Sequence, residues 1–278
     1  MSSIISVKDF KNLTSNNLVI LDARVGNDAY NIYLENHVKG ARFINLDTDL
    51  AGKVDDAAFG GRHPLPDLEK FCKTIASLGI SKDSNIVIYD DKSGSNAASR
   101  AWWMLKSVGI LNVWILSGGI QALQKEGIEF CSGEENFERL NDFEASNWLM
   151  PQSSLEEVEN EILNNTATVI DVRDSYRYNG VSEPIDLVAG HIPGAINIPF
   201  SENLDENGAF LSPEILKEKY LNLLQGRPKK IIIHCGSGVT ACHTIVALYH
   251  AGFDVPNLYV GSWSEWSRRE GKEIATEI

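Results

Sequence analysis

Thr168-Val169-Ile170-Asp171-Val172-Arg173 returns, as apolar run, aspartate and arginine, the stretch Val19-Ile20-Leu21-Asp22-Ala23-Arg24. Outward from this pair the correspondence continues. His37-Val38-Lys39-Gly40-Ala41 returns as His191-Ile192-Pro193-Gly194-Ala195, and Asn85-Ile86-Val87-Ile88-Tyr89 as Lys230-Ile231-Ile232-Ile233-His234. Leu116-Ser117-Gly118-Gly119 aligns with Val260-Gly261-Ser262-Trp263 near the end of each half. A spacing of about 150 residues is far too long for a solenoid and describes one domain present twice. The 278 residues of the chain suit that reading, since about 150 make a typical domain.

Each copy alternates strand and helix. Residues 18–21, 86–89, 169–172 and 231–234 are short, β-branched runs that are apolar on both faces, as strands covered by helices are. Helical spacing runs over 97–108, 240–250 and 213–224, the last opened by Ser212 and Pro213. Gly109 and Gly252 stop the first two. The expectation is an α/β chain of two domains, each a mostly parallel sheet flanked by helices. Residues 1–135 form the first and 153–278 the second. The linker falls in the acidic, irregular stretch 131–151 and is placed at 136–152.

Twenty-five basic and 38 acidic side chains leave a net charge of −13, spread along the chain. Such a surface repels nucleic acid and anionic membranes, so neither is expected as a partner. An anionic substrate would need local cations to overcome that field. No apolar run approaches the ~18 residues of a membrane span, and residues 1–11 lack the basic and apolar regions of a secretory signal. Four cysteines (Cys72, Cys131, Cys235 and Cys242) show no CxxC pair and no Cys/His spacing typical of zinc. Reduced thiols in a cytoplasm and no metal are the expectation. No glycine-rich nucleotide motif follows a strand, so no cofactor is expected.

The chemistry concentrates in Ile231-Ile232-Ile233-His234-Cys235-Gly236-Ser237-Gly238-Val239-Thr240-Ala241. A buried strand runs into a cysteine, then a loop of small residues, then a helix. Loop amides and a helix N-terminus aimed at the sulfur favour thiolate over thiol and so activate Cys235 as a nucleophile. Gly236 and Gly238 are read as the positions that tolerate positive φ in the curl. A cysteine phosphatase would need an arginine six places after the cysteine to grip phosphate, and Ala241 stands there.

The loop instead resembles that of the rhodanese-like sulfurtransferases, and the resemblance covers essentially the whole chain. The duplication, the Asp-x-Arg after the first strand, His191-Ile192-Pro193-Gly194-Ala195 and Gly261-Ser262-Trp263-Ser264-Glu265-Trp266 all look like the two-domain members. Cys-Gly-Ser-Gly-Val-Thr-Ala resembles the 3-mercaptopyruvate sulfurtransferase version. The thiosulfate-preferring version places basic residues where Gly236 and Ser237 stand. The resemblance implies tandem rhodanese-like domains with the nucleophile in the second only. Asp90 occupies the matching place in the first, in a loop two residues longer, so that half is structural or supplies walls to the site.

The implied reaction is double displacement. Cys235 takes sulfur from a small anionic donor as a persulfide, and a thiol acceptor (a small thiol or a thioredoxin-like protein) or cyanide removes it. The backbone of Gly236, Gly238, Val239, Thr240 and Ala241 would bind the transferred group. With mercaptopyruvate the leaving group is an enolate, and Ser237 is the candidate proton source. The family further implies a relay in which His63 bridges Ser237 and Asp47, with Asp49 two residues beyond. Arg177 matches an arginine that binds the donor carboxylate. The chain departs from the family after Glu183-Pro184, where Ile185 replaces a second arginine; Arg62 is the candidate substitute. A thiosulfate-preferring enzyme, a cysteine phosphatase and a non-catalytic persulfide carrier are the alternatives. Cys242 and the pair Trp102-Trp103 read as core.

Overall fold

Two five-stranded parallel sheets of identical order account for the repeat in a computed structural model that describes residues 3–13, 15 and 17–278. The first contains β1 (Ile4–Ile5), β2 (Leu18–Asp22), β4 (Ala41–Phe43), β5 (Asn85–Tyr89) and β6 (Val113–Leu116), ordered β1-β6-β5-β2-β4. A short β3 (His37–Val38) leaves this sheet to pair antiparallel with β7 (Phe130–Cys131). Helices α1 (Val7–Lys11), α2 (Ala29–Glu35), α3 (Leu68–Ser77), α4 (Ala97–Ser107) and α5 (Gly119–Lys125) complete the unit.

The second sheet contains β8 (Gln152–Ser153), β9 (Ala167–Asp171), β10 (Ile196–Asn197), β11 (Lys230–His234) and β12 (Asn257–Tyr259), ordered β10-β9-β11-β12-β8. Its helices are α6 (Leu155–Leu163), α7 (Ser175–Tyr178), α8 (Pro213–Leu223), α9 (Ala241–His250) and α10 (Ser262–Trp266). Read from the other edge, the first sheet is β4-β2-β5-β6-β1, strand for strand the same. Registers agree too: Asp22 faces Tyr89 across β2 and β5, and Asp171 faces His234 across β9 and β11.

The central strands are apolar on both faces because both faces are covered. Ile232 and Ile233 are fully buried, each contributing about 2 kcal/mol through burial. The Asp-x-Arg that ends β2 and β9 forms the same fork in both copies. Arg24 Nη2 lies 2.6 Å from Asp22 Oδ2, and Arg173 Nη2 lies 2.6 Å from Asp171 Oδ2. Burial works against the Asp171 carboxyl, but the Arg173 fork overcomes it and holds the group below the ordinary carboxylate range.

The helices expected from sequence end where the glycines demand, with Gly109 and Gly252 at φ +92° and +85°. Ser212 caps α8 as its spacing predicts. α9 begins at Ala241 rather than Thr240, so the first copy's loop is one residue longer than the second's, not two. The alignment near each end also shifts by one residue. β6 ends at Leu116 and β12 at Tyr259, which pairs Gly119 with Ser262 and Ile120 with Trp263.

The chain separates into two compact units. The first comprises Met1–Gly52, Leu65–Met150 and Glu206–Phe210; the second comprises Lys53–Pro64, Pro151–Asp205 and Leu211–Ile278. Each unit thus carries a segment that sequence order would give to the other. Among the described residues, no helix is long and apolar enough to cross a membrane.

Candidate active site

Cys235 follows the last residue of β11 and is buried, 3% exposed. Its loop is pinned from below by the turn into α10. The Cys235 amide donates to Ser262 Oγ (3.2 Å), Trp263 N–H donates to the Cys235 carbonyl (3.0 Å), and Ser264 N–H to the Gly236 carbonyl (2.8 Å). None of these bonds engages the sulfur. Ser262 adopts φ +55°, a left-handed conformation rare for a residue with a side chain. The strain is held by its hydroxyl, which donates to the Tyr259 carbonyl (2.8 Å) while receiving the Cys235 amide.

The two loop glycines serve different ends. Gly238 is left-handed (φ +72°), and a Cβ there would strike the Val260 carbonyl. Gly236, by contrast, is not left-handed. It is small because two guanidinium groups crowd it: a Cβ would stand 3.1 Å from Arg62 Nη2 and 3.4 Å from Arg177 Nη2. The expectation of positive φ therefore holds only at Gly238. Val239 is buried, Thr240 half-buried, and Ala241 fully buried as the first residue of α9. At Ala241 no side chain reaches an anion, so this position can offer only its amide. Thr240 makes no side-chain cap bond.

Ser237 Oγ lies 2.7 Å from His63 Nδ1, and both belong to the second unit. His63 is brought there by Gly60 and Gly61. The Gly60 amide donates to Glu265 Oε1 (2.9 Å) and the Arg62 amide to Ser264 Oγ (3.0 Å), while Gly61 (φ +78°) packs against the Gly261 carbonyl. Asp47 belongs to the first unit, in a turn where its amide donates to Asn45 Oδ1 (2.8 Å). Burial pushes the neighbouring Asp49 carboxyl up.

Around Gly236 the charges form a network that sequence reading largely missed. Arg177 Nε reaches both oxygens of Glu183 (3.0 and 2.9 Å), and its Nη2 lies 3.4 Å from Asp186 Oδ2. Arg62 Nε donates to Asp186 Oδ1 (2.9 Å), and Arg268 Nη1 donates to the same oxygen (3.0 Å). Arg173 Nη1 reaches Glu183 Oε2 (3.1 Å). Burial works against the Glu183 carboxyl, but Arg177 and the Asp186 and Ile185 amides hold it below the ordinary range. Burial likewise opposes the Arg173 charge, which Asp171, Glu183 and Cys235 hold above its ordinary value.

Four guanidinium groups (Arg62, Arg173, Arg177, Arg268) meet three carboxylates (Asp171, Glu183, Asp186). One net positive charge is left beside the cysteine in a chain whose total is −13. Where an arginine was expected in place of Ile185, Asp186, the next residue, holds Arg62 and Arg268. Only Arg62 had a signal in the sequence. Arg268 lies 82 positions from the aspartate it touches, beyond any local pattern.

His234 is fully buried and held neutral, chiefly by burial. Its Nε2 lies 3.9 Å from Asp171 Oδ2. Its Nδ1 lies 3.3 Å from the Cys235 carbonyl, where strand passes into loop.

Residues 6–126 and 154–269 each match the family described as the Rhodanese-like domain. The chain is 40% identical over 274 residues to a protein named "Probable 3-mercaptopyruvate sulfurtransferase" in Pseudomonas aeruginosa, covering 95% of this chain and 94% of that one. It is 35% identical over 262 residues to the 3-mercaptopyruvate sulfurtransferase of Escherichia coli K12, covering 90% and 89%. The solved structure of 3-mercaptopyruvate sulfurtransferase from Leishmania major superposes with a TM-score of 0.83 at 28% identity, covering 96% of this chain and 74% of that one.

Proposed function

The chain belongs to the rhodanese-like family and is a sulfurtransferase; we propose that it takes sulfur from 3-mercaptopyruvate onto Cys235 and passes it to a thiol. One observation carries the choice of donor: Ser237 Oγ stands 2.7 Å from His63 Nδ1, two residues beyond the nucleophile. A proton relay at that point serves a donor that leaves as an enolate, and thiosulfate leaves none.

The steps balance without a cofactor. The Cys235 thiolate attacks the donor sulfur, the S–S bond forms, and the donor's C–S bond breaks with its electron pair going to the enolate. Ser237 gives that carbon a proton and recovers one from His63. Asp47 is proposed as the residue that sets the His63 tautomer. The persulfide is held by the loop amides from Gly236 to Ala241 as an oxyanion would be. An acceptor thiolate then attacks the outer sulfur and returns Cys235 as thiolate. Arg177 and Arg62, beside Gly236, are the groups that face the donor carboxylate. A small thiol or a thioredoxin-like protein is the proposed acceptor. None of the four cysteines is in a disulfide, as a reducing cytoplasm would keep them.

A second reading, thiosulfate as donor, draws on the same pair of guanidinium groups, which could hold a sulfonate. Incubating the protein with each donor and weighing it intact tests the proposal. Mercaptopyruvate is expected to add the mass of one sulfur atom to wild type and nothing to Cys235→Ser. No adduct from either donor, or an adduct that survives Cys235→Ser, would sink it.

A further inference from the structure

Far along the chain from the reactive loop, three ligand-type side chains converge within the first unit. His37 opens β3 and faces Cys131, its register partner on β7, and Glu135 follows four residues later. His37 is fully buried, whereas Cys131 and Glu135 are half-buried, so solvent reaches the cluster. Cys131 Sγ lies 3.2 Å from His37 Nε2 and 3.1 Å from Glu135 Oε1. Nε2 lies 3.4 Å from that same oxygen. The other ring nitrogen, Nδ1, is 2.7 Å from the Tyr33 carbonyl. A carbonyl only accepts, so Nδ1 carries a proton, and whenever the ring is neutral its Nε2 lone pair points into the cluster. The ring lies flat against Tyr33, centroids 4.0 Å apart, which holds it in that direction.

Glu135 Oε1 also accepts the Gly40 amide (2.6 Å), and within the cluster one thiol proton is shared among the three ligand atoms. A cation in its place satisfies all three. Bonds of about 2.0–2.3 Å to a tetrahedral centre give ligand–ligand edges of about 3.3–3.6 Å. The observed edges of 3.1, 3.2 and 3.4 Å lie within a few tenths of an ångström of these. Imidazole and thiolate beside one carboxylate suit a borderline-soft ion, whereas magnesium and calcium take oxygen ligands. The carbonyl on Nδ1 is the outer partner that metal-bound histidines usually have.

We propose that His37, Cys131 and Glu135 bind one zinc-class divalent cation, with solvent in the fourth position. On binding, the Cys131 S–H bond breaks, its proton leaves to solvent and a sulfur–metal bond forms; no oxidation state changes. The duplicate half is a built-in control. His191 makes the same Nδ1 contact, to the Tyr178 carbonyl (2.9 Å), and stacks the same way on Tyr178 at 3.7 Å. Its bridge partner, however, is Ala275. The orientation of the histidine and a carboxylate near its Nε2 (Glu277 Oε1 at 3.7 Å from His191) thus recur in both copies, while the thiol is particular to the first. Spacing rules for zinc could not find the site, because His37 and Cys131 lie 94 positions apart.

Titration of the reduced full-length chain with Co2+ tests the site. Wild type is expected to take up one equivalent with a near-ultraviolet thiolate-to-cobalt band that Zn2+ abolishes. Cys235→Ser keeps the band and Cys131→Ser loses it. Glu135→Gln, at a half-exposed position that keeps the fold, weakens binding by about tenfold or more. Zinc raises the Tm of wild type but not of Cys131→Ser. A wild type without a stoichiometric band, or a band that survives Cys131→Ser or disappears in Cys235→Ser, overturns the proposal.

Discussion

The loops that follow β5 and β11 are the same device put to opposite uses. In the first, Asp90 stands where the second has Cys235, and its carboxylate gathers the loop's amides. Lys92 (2.9 Å) and Gly94 (2.7 Å) donate to Oδ1, and Asn96 (3.2 Å) and Ala98 (3.4 Å) donate to Oδ2. The last two belong to the start of α4, whose own cap residue, Asn96, makes no side-chain bond. Asp90 is therefore the cap of α4, delivered from the strand before it. Burial pushes its carboxyl above the ordinary range, against four donors that favour the anion.

In the second unit the backbone support is the same. Ile120 N–H donates to the Asp90 carbonyl just as Trp263 N–H donates to that of Cys235, both at 3.0 Å. What differs is the side chain at the focus. A carboxylate there closes the cradle with four amide hydrogen bonds, whereas the other copy places at the same point the cysteine proposed to carry sulfur.

Exchanging the two residues is the hardest test of this comparison. Cys235→Asp is expected to fold, with unchanged circular dichroism, and to lose sulfur transfer by about 10^4-fold or more in kcat. Residual transfer within tenfold of wild type would place the nucleophile elsewhere. Next in size, Ser237→Ala should lower kcat/KM with mercaptopyruvate by about 10^2–10^3-fold and leave thiosulfate turnover within a few-fold. Equal losses with both donors would remove the relay from the argument.

Asp90→Asn keeps the shape of the side chain but turns an N–H toward loop donors. It should destabilise the first unit by about 2–4 kcal/mol in urea unfolding, with the kcat of the folded enzyme preserved. A neutral outcome would mean that the four amide bonds do not hold that loop.

The smallest expected effect is that of pH on the second unit. Asp171 and Glu183 are held below the ordinary carboxylate range, so their stabilisation is complete above the unfolded value of about 4, declines below it and is lost as pH falls through the lower folded values. Unfolding midpoints followed by tryptophan fluorescence should be flat from pH 7 to 5 and drop below 4, and Glu183→Gln should shrink that drop. A midpoint that rises on acidification contradicts the assignment.

Much of the site was legible because it is local. A strand, a cysteine, small residues and a helix are consecutive in the chain, and the spacing of Ser237 from Cys235 needs no folding to be read. The carboxylates that orient the arginines were not legible. Glu183 and Asp186 are ordinary acids in a polar loop until Arg62, Arg173, Arg177 and Arg268 close on them. Ser262 escaped because only a measured φ separates it from other serines. Gly236 was read as a conformational glycine because a sequence cannot tell a need for positive φ from a need for space.

By itself the sequence determined that one domain occurs twice and that its strands are buried on both faces, and it pointed by resemblance to a candidate nucleophile in the second copy. These are properties of runs, periods and residue identity. Only the tertiary structure decided that residues 53–64 belong with the second unit, which is what sets His63 on Ser237 and Arg62 beside Gly236. That placement rests on two glycines and a hydrogen bond from the Gly60 amide to Glu265, 205 positions away. Contacts of that span are chosen by packing, when the whole chain is present, and no local pattern encodes them.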